Sequence, residues 1–220
     1  MQISVILDQA AEILQDVGMV TWTKQQLIRA MNSAIKMVCV HRPDAATTVG
    51  EVTLSAGSLQ SVPTGCQSVI DTLHNGTLAA PGQAIRMVSK KTKDETEPGW
   101  HAASQSSTIY EVVVDERVPG KFWTSPPAVA STKIVMCWAV VPADISTSDD
   151  GTAELPILEK YAPAVLEWML YLAFSRDSVR TANVQRGMDH RASFYSILGI
   201  KMQADSRSAP KAAHQQQIQG

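Results

Sequence analysis

The residues best suited to bind a metal or act as nucleophile or base are five histidines, His41, His74, His101, His190 and His214, and three cysteines, Cys39, Cys66 and Cys137. Zinc and metalloprotease chemistry needs such residues in pairs at short fixed spacing, as in Cys-x-x-Cys or His-Glu-x-x-His. Here every histidine stands alone and the cysteines are far apart. The chain also has no Gly-x-Ser-x-Gly elbow and no Gly-rich loop ending in Lys-Ser or Lys-Thr, the usual signatures of acyl transfer and nucleotide hydrolysis. The sequence therefore predicts no catalytic residue, no cofactor and no metal.

Three other patterns have an ordinary structural explanation. Asn75-Gly76-Thr77 matches a glycosylation acceptor, but Asn-Gly is also a strong hairpin-turn pair. Lys90-Lys91-Thr92-Lys93 is a dense basic run, yet Asp94, Glu95 and Glu97 follow within a Debye length, which favours a solvated strand end over a nucleic-acid site. Asp149-Asp150, with Asp144 nearby, lacks the glycine and distal glutamate of a calcium loop and is expected to be a flexible linker.

The composition points the same way. A net charge of −2 supplies no global field for phosphates, which disfavours DNA binding. Charged residues make up 18% of the chain, below the roughly 25% of typical soluble domains, which suggests surface covered by other protein. The cysteines sit in apolar runs and are expected to be small buried hydrophobes of a reducing cytosol. Met1-Gln2-Ile3-Ser4 shows no leader, and no segment approaches the roughly 18 apolar residues of a membrane span, so a soluble cytosolic product is expected.

The elements follow from periodicity. Ile3, Ile6, Leu7, Ala10, Ile13, Leu14 and Val17 recur at helical spacing up to Gly18. Thr23 can cap a second helix with Leu27, Met31, Ala34, Ile35 and Val38 on one stripe, ending before Pro43. From Thr47 to Pro142 the period becomes two, predicting strands at Thr48–Leu54, Leu59–Val62, Ser68–Leu73, Ala84–Ser89, Thr108–Val114, Lys121–Thr124 and Lys133–Val141. Antiparallel meanders fit, because the spacing looks too short for helical crossovers.

After a Ser-, Thr- and Asp-rich link, Leu158, Ala162, Val165, Leu166, Met169, Leu172 and Ala173 form a third helix. Val184, Met188, Ala192, Tyr195 and Leu198 form a fourth, with Gly199 at the stop position. The expected α+β fold is a helical bundle built from residues 1–45 and 144–202, an antiparallel β domain inserted at 46–143, and an extended tail at 203–220, too poor in large apolar residues to fold alone. Short helices with leftover apolar stripes predict an oligomer. The five tryptophans, Trp22, Trp100, Trp123, Trp138 and Trp168, divide between core packing and subunit contacts, with Trp22, Arg42, Trp100 and Trp123 as interface candidates.

The order of several segments carries a resemblance. Trp22-Thr23 precedes Leu27-Ile28-Arg29-Ala30-Met31-Asn32-Ser33-Ala34, followed by His41-Arg42-Pro43-Asp44-Ala45 and Leu54-Ser55-Ala56-Gly57-Ser58-Leu59-Gln60-Ser61-Val62-Pro63. Gly82-Gln83-Ala84-Ile85-Arg86, Pro98-Gly99-Trp100-His101 and Phe122-Trp123-Thr124-Ser125-Pro126-Pro127 come next. Leu166-Glu167-Trp168-Met169-Leu170-Tyr171-Leu172-Ala173-Phe174-Ser175-Arg176-Asp177 and Phe194-Tyr195-Ser196-Ile197-Leu198-Gly199 complete the series. In this order they resemble the head-to-tail adaptor proteins of tailed phages, particularly short-tailed ones.

That resemblance implies a virion protein of the neck, assembled in the host cytoplasm. Its copies form a homo-oligomeric ring, usually twelvefold, beneath the portal protein. The ring would carry tail proteins, of nozzle or tube, and let DNA pass through its lumen without specific binding. It also implies that the C-terminal tail reaches the portal, which makes Gln203, Arg207, Pro210, Lys211, Gln215 and Ile218 the candidate portal-binding residues. The alternative is a β-rich tail accessory module for fibre attachment or host-surface binding, working through residues 47–142.

Overall fold

Apolar side chains occupy nearly the whole circumference of the segment Ala162–Arg176, so it must be enclosed by other elements. The computed structural model describes residues 1–176 and 181–208 and shows how this is done. Two compact units are present: Met1–Arg42 with the chain from Ala143 onward, and Pro43–Pro142. The first is helical, with α1 (Ile3–Ile13), α2 (Lys24–His41) and, after the second unit, two helices named below as α4 (Ala162–Arg176) and α5 (Thr181–Ser208). The second contains eight strands, one short α-helix and two single-turn 3-10 helices. The fold is thus α+β, a bundle assembled from both ends of the chain with a β domain between its second and third long helices.

Helix α4 packs against α1, α2 and α5, which bury Val165, Trp168, Met169, Ala173 and Phe174. Its Pro163 lies in the first turn, where the missing N–H would have had no helical partner anyway. Helix α1 has no side-chain cap at Gln2; the N–H groups of Ile3 and Ser4 instead donate to the carbonyls of Ala153 and Gly151 at 2.9 and 3.1 Å. Helix α2 begins in a capping box, with Thr23 and Gln26 each satisfying the other's backbone N–H. The Asn32 amide holds both backbone groups of Ile145 at 2.9 Å. The link expected to be a solvated, flexible connector is therefore bound to α1 and α2 along its length.

Three helical details depart from the periodicity. Helix α1 ends at Ile13, not Gly18, because the Asp16 carboxylate accepts the N–H groups of Val20, Thr21 and Trp22 at 3.0, 2.9 and 2.7 Å and winds the chain off the helix, leaving Val17 exposed. On α5, Val184, Met188, Ala192 and Tyr195 face outward; the buried face carries Gly187, Phe194 and Leu198. Gly187 lies on that buried face against Phe174 and Ser175, where an added Cβ would make ordinary contact at about 3.5 Å. Gly199 is not a stop: it is outside the left-handed region, and α5 continues to Ser208.

In the second unit the strands are β1 (Thr47–Thr53), β2 (Gly57–Ser61), β3 (Cys66–Gly76), β4 (Pro81–Ala84), β5 (Arg86–Ser89), β6 (Glu111–Val114), β7 (Lys121–Ala128) and β8 (Lys133–Val140). They form two four-stranded sheets, ordered β1-β8-β3-β4 and β2-β7-β6-β5. Val52, Ile134, Met136 and Trp138 of the first sheet meet Val112, Phe122 and Ala128 of the second in one core. The run Ala84–Ser89, expected as one strand, is split at Ile85: β4 belongs to one sheet, β5 to the other, and the Ile85 side chain is buried where the chain crosses. Strand β7 continues past Thr124 through two prolines, because a proline lacks only the donor; the Pro127 carbonyl still accepts from Ser106 N–H at 2.9 Å.

The sheets are not purely antiparallel. Strands β5 and β6 are parallel, Arg86 opposite Glu111 through Ser89 opposite Val114. A parallel pair needs a crossover of a dozen or more residues, and residues 90–110 supply it, including helix α3 (Lys90–Thr96). The lysine run expected at a strand end is therefore a helix, capped by the Ser89 hydroxyl.

Asn75 is not the exposed corner of a hairpin either. It is buried, and its amide donates to the carbonyls of Gln83 and Ile109 at 3.0 and 2.8 Å and accepts the Ile109 N–H at 2.8 Å, tying β3 to the chain leading into β6. The turn lies at Thr77–Ala80, and β3 enters it through Gly76 (φ +90°), where a Cβ would lie 2.5 Å from the Ala80 carbonyl oxygen. Replacing Asn75 by Ala would orphan the buried N–H and carbonyl of Ile109 and remove a bond to the Gln83 carbonyl, and should lower unfolding free energy by about 3 kcal/mol. Urea titration tests this, and an unchanged midpoint would contradict the role given to Asn75.

Candidate interaction surfaces

Each histidine within the described residues has a local partner. His41 lies edge-on to Phe194 and Tyr195, with ring centroids 6.0 and 5.3 Å away. His74 is bonded to the Asn75 carbonyl at 2.9 Å. His101 stacks on Trp100 and bonds the Ser58 hydroxyl at 3.0 Å. His190 stacks on Phe174 and meets the Glu167 carboxylate at 2.8 Å. His214 lies outside the described residues. Among the described residues no three His, Cys, Asp or Glu side chains come together as a metal site. Burial pushes all three cysteine thiols up, Cys39 being fully buried and Cys66 and Cys137 partly so.

The acidic link is likewise engaged. Asp149 accepts the Gly151 N–H at 2.7 Å, Asp150 accepts the Thr152 hydroxyl at 2.7 Å, and Asp144 pairs with Lys36 at 2.7 Å. In α3, Lys90 pairs with Asp94 at 2.5 Å and Lys93 with Glu97 at 2.6 Å. Lys93 is buried and also lies 2.6 Å from Glu111, which Arg86 contacts from its other oxygen. Burial alone would raise the Glu111 carboxyl, but hydrogen bonds from Lys93 and Arg86 outweigh it and hold Glu111 below its usual value. The lysine run that looked like a surface feature is thus one half of an ion cluster that fastens the crossover helix to β6.

The interface candidates separate by exposure. Trp100 is 3% exposed, its indole N–H donating to Asp94 at 3.0 Å, and Arg42 is 7% exposed, its guanidinium 5.6 Å from the Tyr161 ring centre. Both are used within the protomer and leave little area for a neighbour. Trp22 and Trp123 remain partly exposed, Trp123 with the Lys90 ammonium 5.8 Å from its ring centre. Trp138, packed over Gly50, and Trp168, 4.7 Å from Phe194, belong to the cores of their units. Of the candidate portal-binding residues, Gln203 and Arg207 lie on the last turns of α5, and Pro210, Lys211, Gln215 and Ile218 lie outside the described residues.

One concave surface in the helical unit was not apparent from periodicity. Between α2 and α4 lies an apolar groove of about 350 Å³ lined by Trp22, Leu27, Ala30 and Leu172, with Arg29 and Arg176 at its rim. Trp22 is set at this groove by the Asp16 bond to its N–H. The sequence signal was Arg29 and Ala30 on the α2 side away from the main stripe, opposite a helix too apolar to present a polar face. The outward α5 residues Val184, Met188 and Tyr195 add a second exposed apolar surface.

Neither surface brings titratable or nucleophilic groups together among the described residues, and both expose apolar side chains. The family model described as SU10 adaptor protein matches residues 1–215, and the chain belongs to that family. It is accordingly a phage adaptor, a structural component of the virion that associates with portal and tail components. A comparison with curated proteins gives no match. No helix among the described residues is long and apolar enough to cross a membrane.

Two predictions concern the groups that hold these surfaces. The Trp22, Val20 and Thr21 N–H groups keep the Asp16 carboxyl below its usual value near 4, so its contribution to stability is full above about pH 4 and is lost as pH falls through the lowered value. Asp16→Asn should therefore lose less melting temperature than the parent between pH 7 and pH 3, and equal losses would refute the assignment. Lys93→Met leaves Glu111 buried with Arg86 alone and should destabilise the β unit by about 3 kcal/mol in denaturant titration; a neutral result would show the cluster to be dispensable.

Proposed function

We propose that copies of this chain form a closed ring, of twelve subunits, beneath the portal in the neck of the virion. The ring extends the channel through which DNA leaves and presents a platform for the nozzle or tube proteins of the tail. The observation that carries this is the family match, which runs through both units and into the C-terminal segment. The net charge of −2 suits a sleeve that must let DNA slide, because a lumen rich in cations would hold phosphates.

The tail at residues 203–220 is the portal contact in this account. Its low content of large apolar residues gives it little to bury by itself, so a partner's apolar surface would have to supply most of the contact. A chain lacking Gln203–Gly220 should keep its melting temperature, lose only the helical signal of the last turns of α5, and lose at least tenfold in portal affinity. A truncated chain that binds the portal as tightly as the full one would refute the assignment of the tail.

A further inference from the structure

The α2–α4 groove is apolar at its floor and cationic at its rim, and among the described residues no ion pair engages Arg29 or Arg176. The outward face of α1 has the opposite character. Val5, Asp8, Glu12 and Ile13 recur at spacings of three, four and one, which places them on one exposed side of that helix, and no ion pair among the described residues engages Asp8 or Glu12. Val5 and Ile13 are 43% and 46% exposed, large values for residues of a helix whose other face is fully buried. We propose that the α1 face of one copy docks into the α2–α4 groove of the next, Val5 and Ile13 covering Trp22 and Leu172 while Asp8 and Glu12 meet Arg29 and Arg176.

The outward α5 stripe is another exposed apolar surface of the helical unit, and its charge argues against its filling the groove. Arg191, 5.8 Å from the Tyr171 ring centre and 5.9 Å from that of Tyr195, lies beside Tyr195 and would face two further guanidinium groups. The α1 face brings two carboxylates to two cations that no ion pair among the described residues engages. Because different surfaces of one chain meet, the contact is heterologous, the type that repeats around a closed ring. This inference rests on the ring reading and names the contact that closes it.

Charge reversal tests it without disturbing either core. The variants D8K/E12K and R29E/R176E should each assemble at least tenfold more weakly than the parent, since like charges then meet at every junction. Mixed one to one they should assemble, because in an alternating array every groove faces a helix of opposite charge. Sedimentation of each variant and of the mixture, with melting curves to confirm folding, reads this without the portal. Variants that assemble as the parent does, or a mixture of folded variants that sediments as the separate components do, would overturn the contact. Failure of the parent to join the portal, with the mixture still associating, would instead overturn the ring reading alone.

Discussion

The helical unit depends on the enclosure of α4. A helix apolar on nearly every side is stable in water only when other elements surround it, and α1 and α2 come from the opposite end of the chain to α5. Neither terminal segment can bury its apolar surface alone. The same dependence governs α1, whose first N–H groups are capped by carbonyls of Gly151 and Ala153 and not by a residue of its own sequence. Two ends that must meet leave the chain between them free to form a separate unit, which explains how a β domain is carried between α2 and α4 without interrupting the bundle.

The β unit meets a related requirement by different means. Its two sheets share one core, and polar groups at three crossings fix their register: Asn75 between β3 and the chain entering β6, the Lys93–Glu111 pair between α3 and β6, and the Thr72 hydroxyl, which donates to the carbonyl of Ile85 where the chain changes sheets. Each is a buried group with its partners present, which favours one arrangement over alternatives because any slip leaves a polar atom without a bond. A subunit that associates with portal and tail components benefits from such fixed internal geometry, since its neighbours must meet it at defined positions.

Much of this was legible in the residues. The helical stripes of α1 and α2, the Thr23 cap, the stop before Pro43 and the change to period two all follow from local chemistry, and the ordered segments from Trp22 to Gly199 carried the family. Features set by distant partners were not legible. The parallel β5–β6 pair depends on a crossover that has no strong helical stripe of its own, and Lys90–Lys93 resembled a solvated run because Glu111, the partner that buries Lys93, is far along the chain. On α5 the visible apolar stripe was the outward one; the buried face carries Gly187, Phe194 and Leu198, set by packing against α4, which the periodicity of α5 alone does not encode. The groove between α2 and α4 was hidden for the same reason, since its two walls are separated by the whole β unit.

The central claim is that the chain joins portal to tail as a ring, and the most direct measurement is the mass and electron-microscopic appearance of the purified protein mixed with its portal. The account predicts a large species with a ring of this chain stacked beneath the portal. A stable monomer or trimer that ignores the portal would contradict it.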